Sequence, residues 1–171
     1  WTEVNSLNTG RRDLDGAGDV PAALAIAGYT STAVGNTEQW NGSNWTEVND
    51  VSTARYNAGG DGSTTSALFF GGNTGSKTTA TEAWNADFPI GSWASGGSLN
   101  QTRFGAAGLG ITTAALMAGG ADPTNTVTGK TEQYNGSTYS EVADITARRL
   151  AGAAGTTTAG LHMGGSENQS P

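Results

Sequence analysis

The sequence has no cysteine and only one histidine, and 13% of its 171 residues are charged. The lack of cysteine excludes a disulfide framework and a thiolate metal site. The net charge of −7 argues against a nucleic-acid groove or an anionic lipid surface, because both need clustered lysine and arginine. No apolar run approaches the roughly 18 residues that span a bilayer. We therefore expect no nucleic-acid partner, no membrane insertion and no cofactor.

Glycine is abundant, with 27 copies, whereas the apolar fraction is only 35%. This composition is typical of short strands joined by tight turns. No window of the sequence has a helical period, so we predict an all-β fold. Disordered chains share the low apolar content, but they lack a periodic placement of leucine and aromatic residues.

Four copies of one pattern run through the chain, and this self-similarity marks a repeat architecture. Each copy has an apolar segment that ends in a doublet of small residues, with an arginine sixteen residues before the doublet and a leucine three residues before it. The doublets are Ala27-Gly28, Gly71-Gly72, Gly119-Gly120 and Gly164-Gly165; the arginines are Arg11, Arg55, Arg103 and Arg148; the leucines are Leu24, Leu68, Leu116 and Leu161. Three copies continue with Thr-Glu-x-aromatic, which ends at Trp40, Trp84 and Tyr134, and then with a second aromatic residue at Trp45, Trp93 and Tyr139; Trp1 is an isolated counterpart.

One copy predicts four short strands, which we place at residues 56–60, 65–70, 79–84 and 92–95. Asn41-Gly42 and Asn135-Gly136 predict two-residue hairpin turns between the third and fourth strands. The second copy has a longer loop there, at residues 85–91. Four antiparallel strands in 44 to 48 residues are typical of one blade of a β-propeller.

The order of these features resembles the kelch repeat: an arginine before a Gly-rich strand, an apolar strand ending in Gly-Gly, an aromatic strand and then tryptophan. The resemblance implies a kelch-like β-propeller, or an arc of one. It divides the chain into the last strand of a preceding blade (1–10), three blades (11–54, 55–102 and 103–147) and a partial blade (148–171). An open arc exposes strand edges and an apolar face. We therefore favour a segment of a larger propeller, or an arc completed by another chain, and the lack of an initiating methionine fits a longer gene product.

No residue is predicted to be catalytic or to bind a metal. His162 falls in the column of Ala25, Phe69 and Met117, where we predict a hydrogen-bonded structural side chain. The glutamates Glu38, Glu82 and Glu132 match the arginines in number, and we expect buried ion pairs that fix the register of the blades.

Two further groups of residues invite a functional interpretation. Asp13, Asp15 and Asp19 suggest calcium, but no glutamate stands at the twelfth position of an EF-hand loop, so we favour a solvated loop. The loops after the doublets, at residues 29–36, 73–80 and 121–130, vary in length and sequence. We expect them to carry any ligand contacts, although no binding residue can be named from the sequence.

The segment from Trp45 to Arg55 is similar to Gly/Thr-rich kelch-like repeats in virion proteins of tailed bacteriophages, especially marine ones. This resemblance implies a non-catalytic structural or adhesion protein at a virion surface or in the extracellular space, such as a tail fibre, capsid fibre or host-attachment protein. The implied partners are other copies of the chain, other virion proteins and host surface polysaccharide. The alternatives are an extracellular bacterial filament or surface repeat protein, a propeller enzyme, and an intracellular adaptor. One histidine and no cysteine disfavour the enzyme, and the lack of a helical partner-binding domain disfavours the adaptor.

Overall fold

The computed structural model describes residues 3–86 and 91–167. Within these two ranges the chain forms fourteen β-strands and no helix, which confirms the predicted all-β class. None of the described residues therefore belongs to a helix that could cross a membrane.

Three sheets have four strands each, and in each sheet the strands neighbour one another in chain order. The first sheet contains β1 (Asp15–Asp19), β2 (Ala22–Tyr29), β3 (Ala33–Trp40) and β4 (Trp45–Val48). The second contains β5 (Gly59–Gly62), β6 (Ser66–Phe70), β7 (Thr81–Asn85) and β8 (Ser92–Ser95). The third contains β9 (Ala107–Ile111), β10 (Ala114–Ala118), β11 (Thr131–Tyr134) and β12 (Tyr139–Glu141). All pairings are antiparallel, as predicted, and a fourth sheet consists of β13 (Gly152–Thr156) and β14 (Ala159–Met163).

The first strand of the second sheet begins three residues later than the predicted range of 56–60. Tyr56 bridges to Asn73, and Asn57 adopts a left-handed conformation with φ of 50°. The chain keeps the same antiparallel direction from Tyr56 to Gly59, but the left-handed Asn57 interrupts the ladder, so the regular strand starts only at Gly59. The predicted second and fourth strands agree with β6 and β8, because their apolar and aromatic residues define them locally.

The two Asn-Gly pairs lie in four-residue loops, and the predicted two-residue turn is wrong. Trp40 pairs directly with Trp45, so residues 41–44 connect β3 to β4. The Asn41 side-chain oxygen accepts hydrogen bonds from the backbone N–H groups of Ser43 and Asn44, at 3.0 and 2.9 Å. A type I′ turn needs positive φ at both central residues, but here only Gly42 has it (φ 91°).

The sheets stack in a row, with β1 beside β5, β5 beside β9, and β9 beside β13. The core therefore lies between sheets. Ile26 and Leu24 meet Phe69 and Trp84 in the first junction, and the same arrangement recurs between the second and third sheets with Leu68, Phe70, Met117 and Tyr134. Among the described residues the row does not close into a ring: the first sheet stands at one end and the two-stranded sheet at the other.

The leucines three residues before the doublets were all predicted to pack between sheets, but their burial differs along the row. Leu24 and Leu68 are buried between sheets, Leu116 is half-buried, and Leu161 is 59% exposed. The difference follows from position, because no further sheet of the described chain covers the far side of β14. At the other end, residues 3–10 include no strand, and Trp1 lies outside the described residues.

Candidate functional site

Each of the three four-stranded sheets contains a buried Arg–Glu ion pair, as the matching columns predicted. Arg11 Nη1 lies 2.5 Å from Glu38 Oε1, and Arg55 Nη1 lies 3.0 Å from Glu82 Oε1. The pair between Arg103 and Glu132 is equally buried. The fourth copy differs, because Arg148 reaches the exposed Glu167 at 3.4 Å.

The glutamates also bind the backbone that leads into their sheet. The second carboxylate oxygen accepts a hydrogen bond from the N–H group three residues before the arginine, at 2.7 Å in each sheet; these donors are Asn8, Ser52 and Asn100. Burial alone would raise the pKa of Glu38, but the hydrogen bonds from Asn8 and Arg11 hold it below its usual value. Burial lowers the pKa of Arg55 and Arg103, and their glutamates oppose that shift. Each pair thus fastens the entering segment to the second and third strands.

A series of backbone hydrogen bonds joins each sheet to the next. In the first three doublets the second residue donates its N–H to the carbonyl of the next copy's arginine, from Gly28 to Arg55 (3.1 Å), from Gly72 to Arg103 (3.3 Å) and from Gly120 to Arg148 (2.6 Å). The sixteen-residue spacing is visible in the sequence, whereas this hydrogen-bond partner is not. The constant spacing was the available signal, because it keeps both groups in register from copy to copy.

A second series of backbone hydrogen bonds joins the residues that lie two positions after the arginines. Asn57 donates to Asp13, Gly105 to Asn57 and Leu150 to Gly105, with N···O distances of 3.0, 2.9 and 2.7 Å. All four residues have left-handed backbones, with φ between 50° and 61°. Leu150 holds this conformation despite its side chain, which shows how strongly the junction requires it.

The three aspartates of the acidic segment separate in the structure. Asp13 lies 3.6 Å from Arg12, and Asp19 ends β1 on the surface. Asp15 accepts hydrogen bonds from Gly16 N–H at 2.8 Å and from Gly60 N–H of the second sheet at 2.6 Å. Asp15 is therefore a bridge between sheets, and the predicted solvated loop is wrong at this position. In the part of the chain that the structure describes, no three His, Asp or Glu side chains gather as a metal site would require.

Burial raises the pKa of Asp15 to about 6, against the hydrogen bonds from Gly16 and Gly60. Asp61 repeats the arrangement one junction further along, because its carboxylate accepts a hydrogen bond from Gly110 N–H at 2.6 Å. Burial raises the pKa of Asp61 as well.

His162 lies half-buried on β14, opposite Ala153. Its Nε2 atom is buried and has no hydrogen-bond partner among the described atoms, so the predicted hydrogen bond is not found. Burial lowers its pKa, and the nearby Arg148 adds to the effect. Both influences favour the neutral imidazole.

Two of the three predicted loops after the doublets are internally bonded loops, whereas the one predicted at residues 29–36 is mostly strand, because β2 ends at Tyr29 and β3 begins at Ala33. In the loop at residues 121–130, the Asp122 carboxylate accepts hydrogen bonds from the N–H groups of Thr124 and Thr126, each at 2.9 Å. In the loop at residues 73–80, Lys77 sits over the Phe104 ring at 5.1 Å. These loops present threonine hydroxyls and a few charges on a rigid frame.

The end of the row at β14 exposes two large apolar side chains. Leu161 and Met163 are 59% and 47% exposed. No protein-family model matches the chain, and neither does any curated protein. The geometry of the sheets, their junctions and this open end are therefore the observations that bear on function.

Proposed function

We propose that the chain is an arc of a kelch-like β-propeller and serves as a non-catalytic structural and attachment element at a virion surface. The observation that supports the arc is the stacking of successive four-stranded sheets with their first strands side by side. In a propeller the blades stack in this way around a central axis. The repeated ion pair and the repeated junction bonds make each sheet an equivalent blade.

The structural role is supported by what the buried polar groups do. The carboxylates of Glu38, Glu82 and Glu132 all form an ion pair with an arginine and accept a hydrogen bond from the entering backbone, so all three copies use the glutamate in the same structural way. Asp15 and Asp61 join neighbouring sheets through backbone N–H groups. These groups hold the sheets together, and a catalytic site would need one copy to differ from its counterparts.

Attachment is assigned to the loops at residues 73–80 and 121–130. Repetition on a particle multiplies weak contacts, so a rigid loop with hydroxyl groups is enough for avid binding to host polysaccharide. The resemblance of the Gly/Thr-rich repeats to those in virion proteins of tailed bacteriophages supports the virion location. Other virion proteins are the second class of partner.

A bacterial extracellular filament is the second candidate, and the open apolar end at β14 favours it. In a filament, arcs from successive subunits would complete one another. The two candidates predict different locations, on purified virions or on cell-attached polymers. Antibodies against the chain, applied to both fractions of the source sample, distinguish them.

The attachment role is tested by displaying the 171-residue chain on beads and probing an array of bacterial surface polysaccharides. The matched control keeps the sheets and replaces residues 73–80 and 121–130 with Gly-Ser segments of equal length. We expect binding that depends on display density and that is lost in the control. Absence of binding by the displayed chain would contradict attachment, and turnover of a polysaccharide would contradict the non-catalytic assignment.

A further inference from the structure

We propose that the two ends of the row of sheets bind each other in different molecules, so that a second copy of this chain docks head to tail. The inference rests on the proposed structural role and names its partner. We call the side of β14 that carries Leu161 and Met163 the tail face. We call the outer side of the first sheet, with Leu7, Ala23 and the backbone at Arg11 and Asp13, the head face.

The tail face carries side chains whose counterparts in the first two sheets are buried. Leu161 and Met163 stand at the positions of Leu68 and Phe70, three residues and one residue before the doublet. Leu68 and Phe70 are each 1% exposed, because the third sheet covers them. The tail face is therefore half of an apolar junction.

The hydrogen-bonding groups of the tail face are also those of an inner junction. Gly165 is the next donor after Gly28, Gly72 and Gly120, and among the described residues its N–H has no partner. A Cβ atom added at Gly71 would meet the Arg103 carbonyl oxygen at 2.9 Å, but one added at Gly164 would meet nothing within 4 Å. The place that the next arginine carbonyl occupies is open at the tail.

The head face offers the complementary groups. The Arg11 carbonyl is the acceptor that would come before Arg55, Arg103 and Arg148, and no described residue donates to it. The second series is complementary in the same way, because the Leu150 carbonyl at the tail and the Asp13 N–H at the head have no partner among the described residues. Docking would thus extend both series by one bond each.

The head face also carries the apolar residue that fills an inner junction from the other side. Val51 and Leu99, four residues before their arginines, are buried among the side chains of the preceding sheet. Leu7 holds the same position before Arg11 and is only half-buried. Ala23 stands where Ala67 and Ala115 contact the preceding sheet, and it too is half-buried.

Both ends of the row carry charges of both signs, because Arg12 lies 3.6 Å from Asp13 in the first repeat and Arg148 lies 3.4 Å from Glu167 in the last. The complementarity of the two faces therefore rests on the apolar side chains and the backbone groups. Because the faces differ, the contact is heterologous, and repeated addition gives either a closed ring or a filament.

The experiment uses one blocked variant for each end. Leu161→Arg blocks the tail, and Leu7→Arg blocks the head at a residue outside any strand. Val20→Arg is the matched control, because Val20 is 91% exposed in the turn between β1 and β2 and belongs to neither face. Circular dichroism and thermal unfolding confirm that each variant folds, and Ala23→Arg is a second head variant if Leu7→Arg does not.

Mass is then measured by light scattering and sedimentation over a range of concentrations. We expect the unmodified chain and Val20→Arg to associate with rising concentration, and each blocked variant alone to remain monomeric. An equimolar mixture of the two blocked variants should form a 1:1 dimer and nothing larger, because it contains one intact head and one intact tail. A monomeric unmodified chain, or self-association of either blocked variant, would overturn the proposal.

This result is independent of the attachment assay. A monomeric chain that binds polysaccharide when displayed on beads would refute head-to-tail docking and leave the proposed function intact. A chain that docks head to tail but binds no polysaccharide would refute attachment and leave the docking intact.

Discussion

The buried ion pair of the second sheet allows the sharpest test of how the repeats are held together. The Arg55 side chain is fully buried, and its Nη2 donates to the Phe69 carbonyl at 3.2 Å while its guanidinium lies over the Phe69 ring. The opposing Glu82 accepts hydrogen bonds from both the N–H and the hydroxyl of Ser52, each at 2.7 Å. Glu82→Gln keeps the shape and the Ser52 contacts but leaves the arginine charge without its counter-ion.

Removing one partner of a buried pair typically costs about 3–5 kcal/mol. The Phe69 carbonyl and ring still stabilise the guanidinium, so we expect a loss near the lower end, about 3 kcal/mol. Arg148–Glu167 provides the matched control, because Glu167 is 62% exposed and the two groups are 3.4 Å apart. Exposed pairs contribute about 0–1 kcal/mol, so Glu167→Gln should have little effect on the free energy of unfolding.

The assay is equilibrium unfolding in urea, followed by tryptophan fluorescence and by circular dichroism, with the slope compared between variants. The single variants Arg55→Met and Glu82→Leu and the double variant Arg55→Met/Glu82→Leu form a mutant cycle, and the cost of the double variant should be smaller than the sum of the two single costs. A loss for Glu82→Gln no larger than that for Glu167→Gln would refute the reasoning. Additive single costs would show that the two side chains do not stabilise each other.

Three further predictions follow from the junctions. Trp84 is almost fully buried and donates its indole N–H to the Thr64 carbonyl at 2.9 Å, so Trp84→Ala should lower the free energy of unfolding by about 3–5 kcal/mol; efficient iodide quenching of Trp84 in the folded protein would contradict this burial. Burial raises the pKa of Asp15 from 3.8 to about 6, so its contribution to stability is present in full below the unfolded-state value and is lost as the pH rises through about 6. Between pH 7.5 and pH 5 the unmodified protein should therefore gain about 1 kcal/mol relative to Asp15→Asn, and an identical pH profile of the two proteins would refute the assignment. A Cβ atom at Gly119 would collide with the Arg148 carbonyl whereas one at Gly164 meets nothing, so Gly119→Ala should lower the thermal midpoint more than Gly164→Ala in dilute, monomeric samples.

The sequence by itself was sufficient for the repeat, the all-β class, the antiparallel four-stranded sheets and the three buried ion pairs. Each of these depends on residues a fixed distance apart in every copy. Arg55 and Glu82, for example, lie on segments whose spacing recurs at Arg11–Glu38 and, with two extra residues, at Arg103–Glu132. A carboxylate buried in every copy needs a cation in every copy, so the two columns predict each other.

Only the tertiary structure decided how the sheets meet. The chain spacing says where the doublet lies, but the partner of Gly72 N–H is the Arg103 carbonyl of another sheet, and this depends on the placement of whole sheets. From the sequence Asp15 is predicted to be a loop residue, and only the structure shows that it accepts a hydrogen bond from Gly60 of the second sheet. Leu161 follows the same pattern as Leu68, yet one is exposed and the other buried. Local pattern specifies the face that a side chain occupies, whereas burial also depends on which sheet packs against that face.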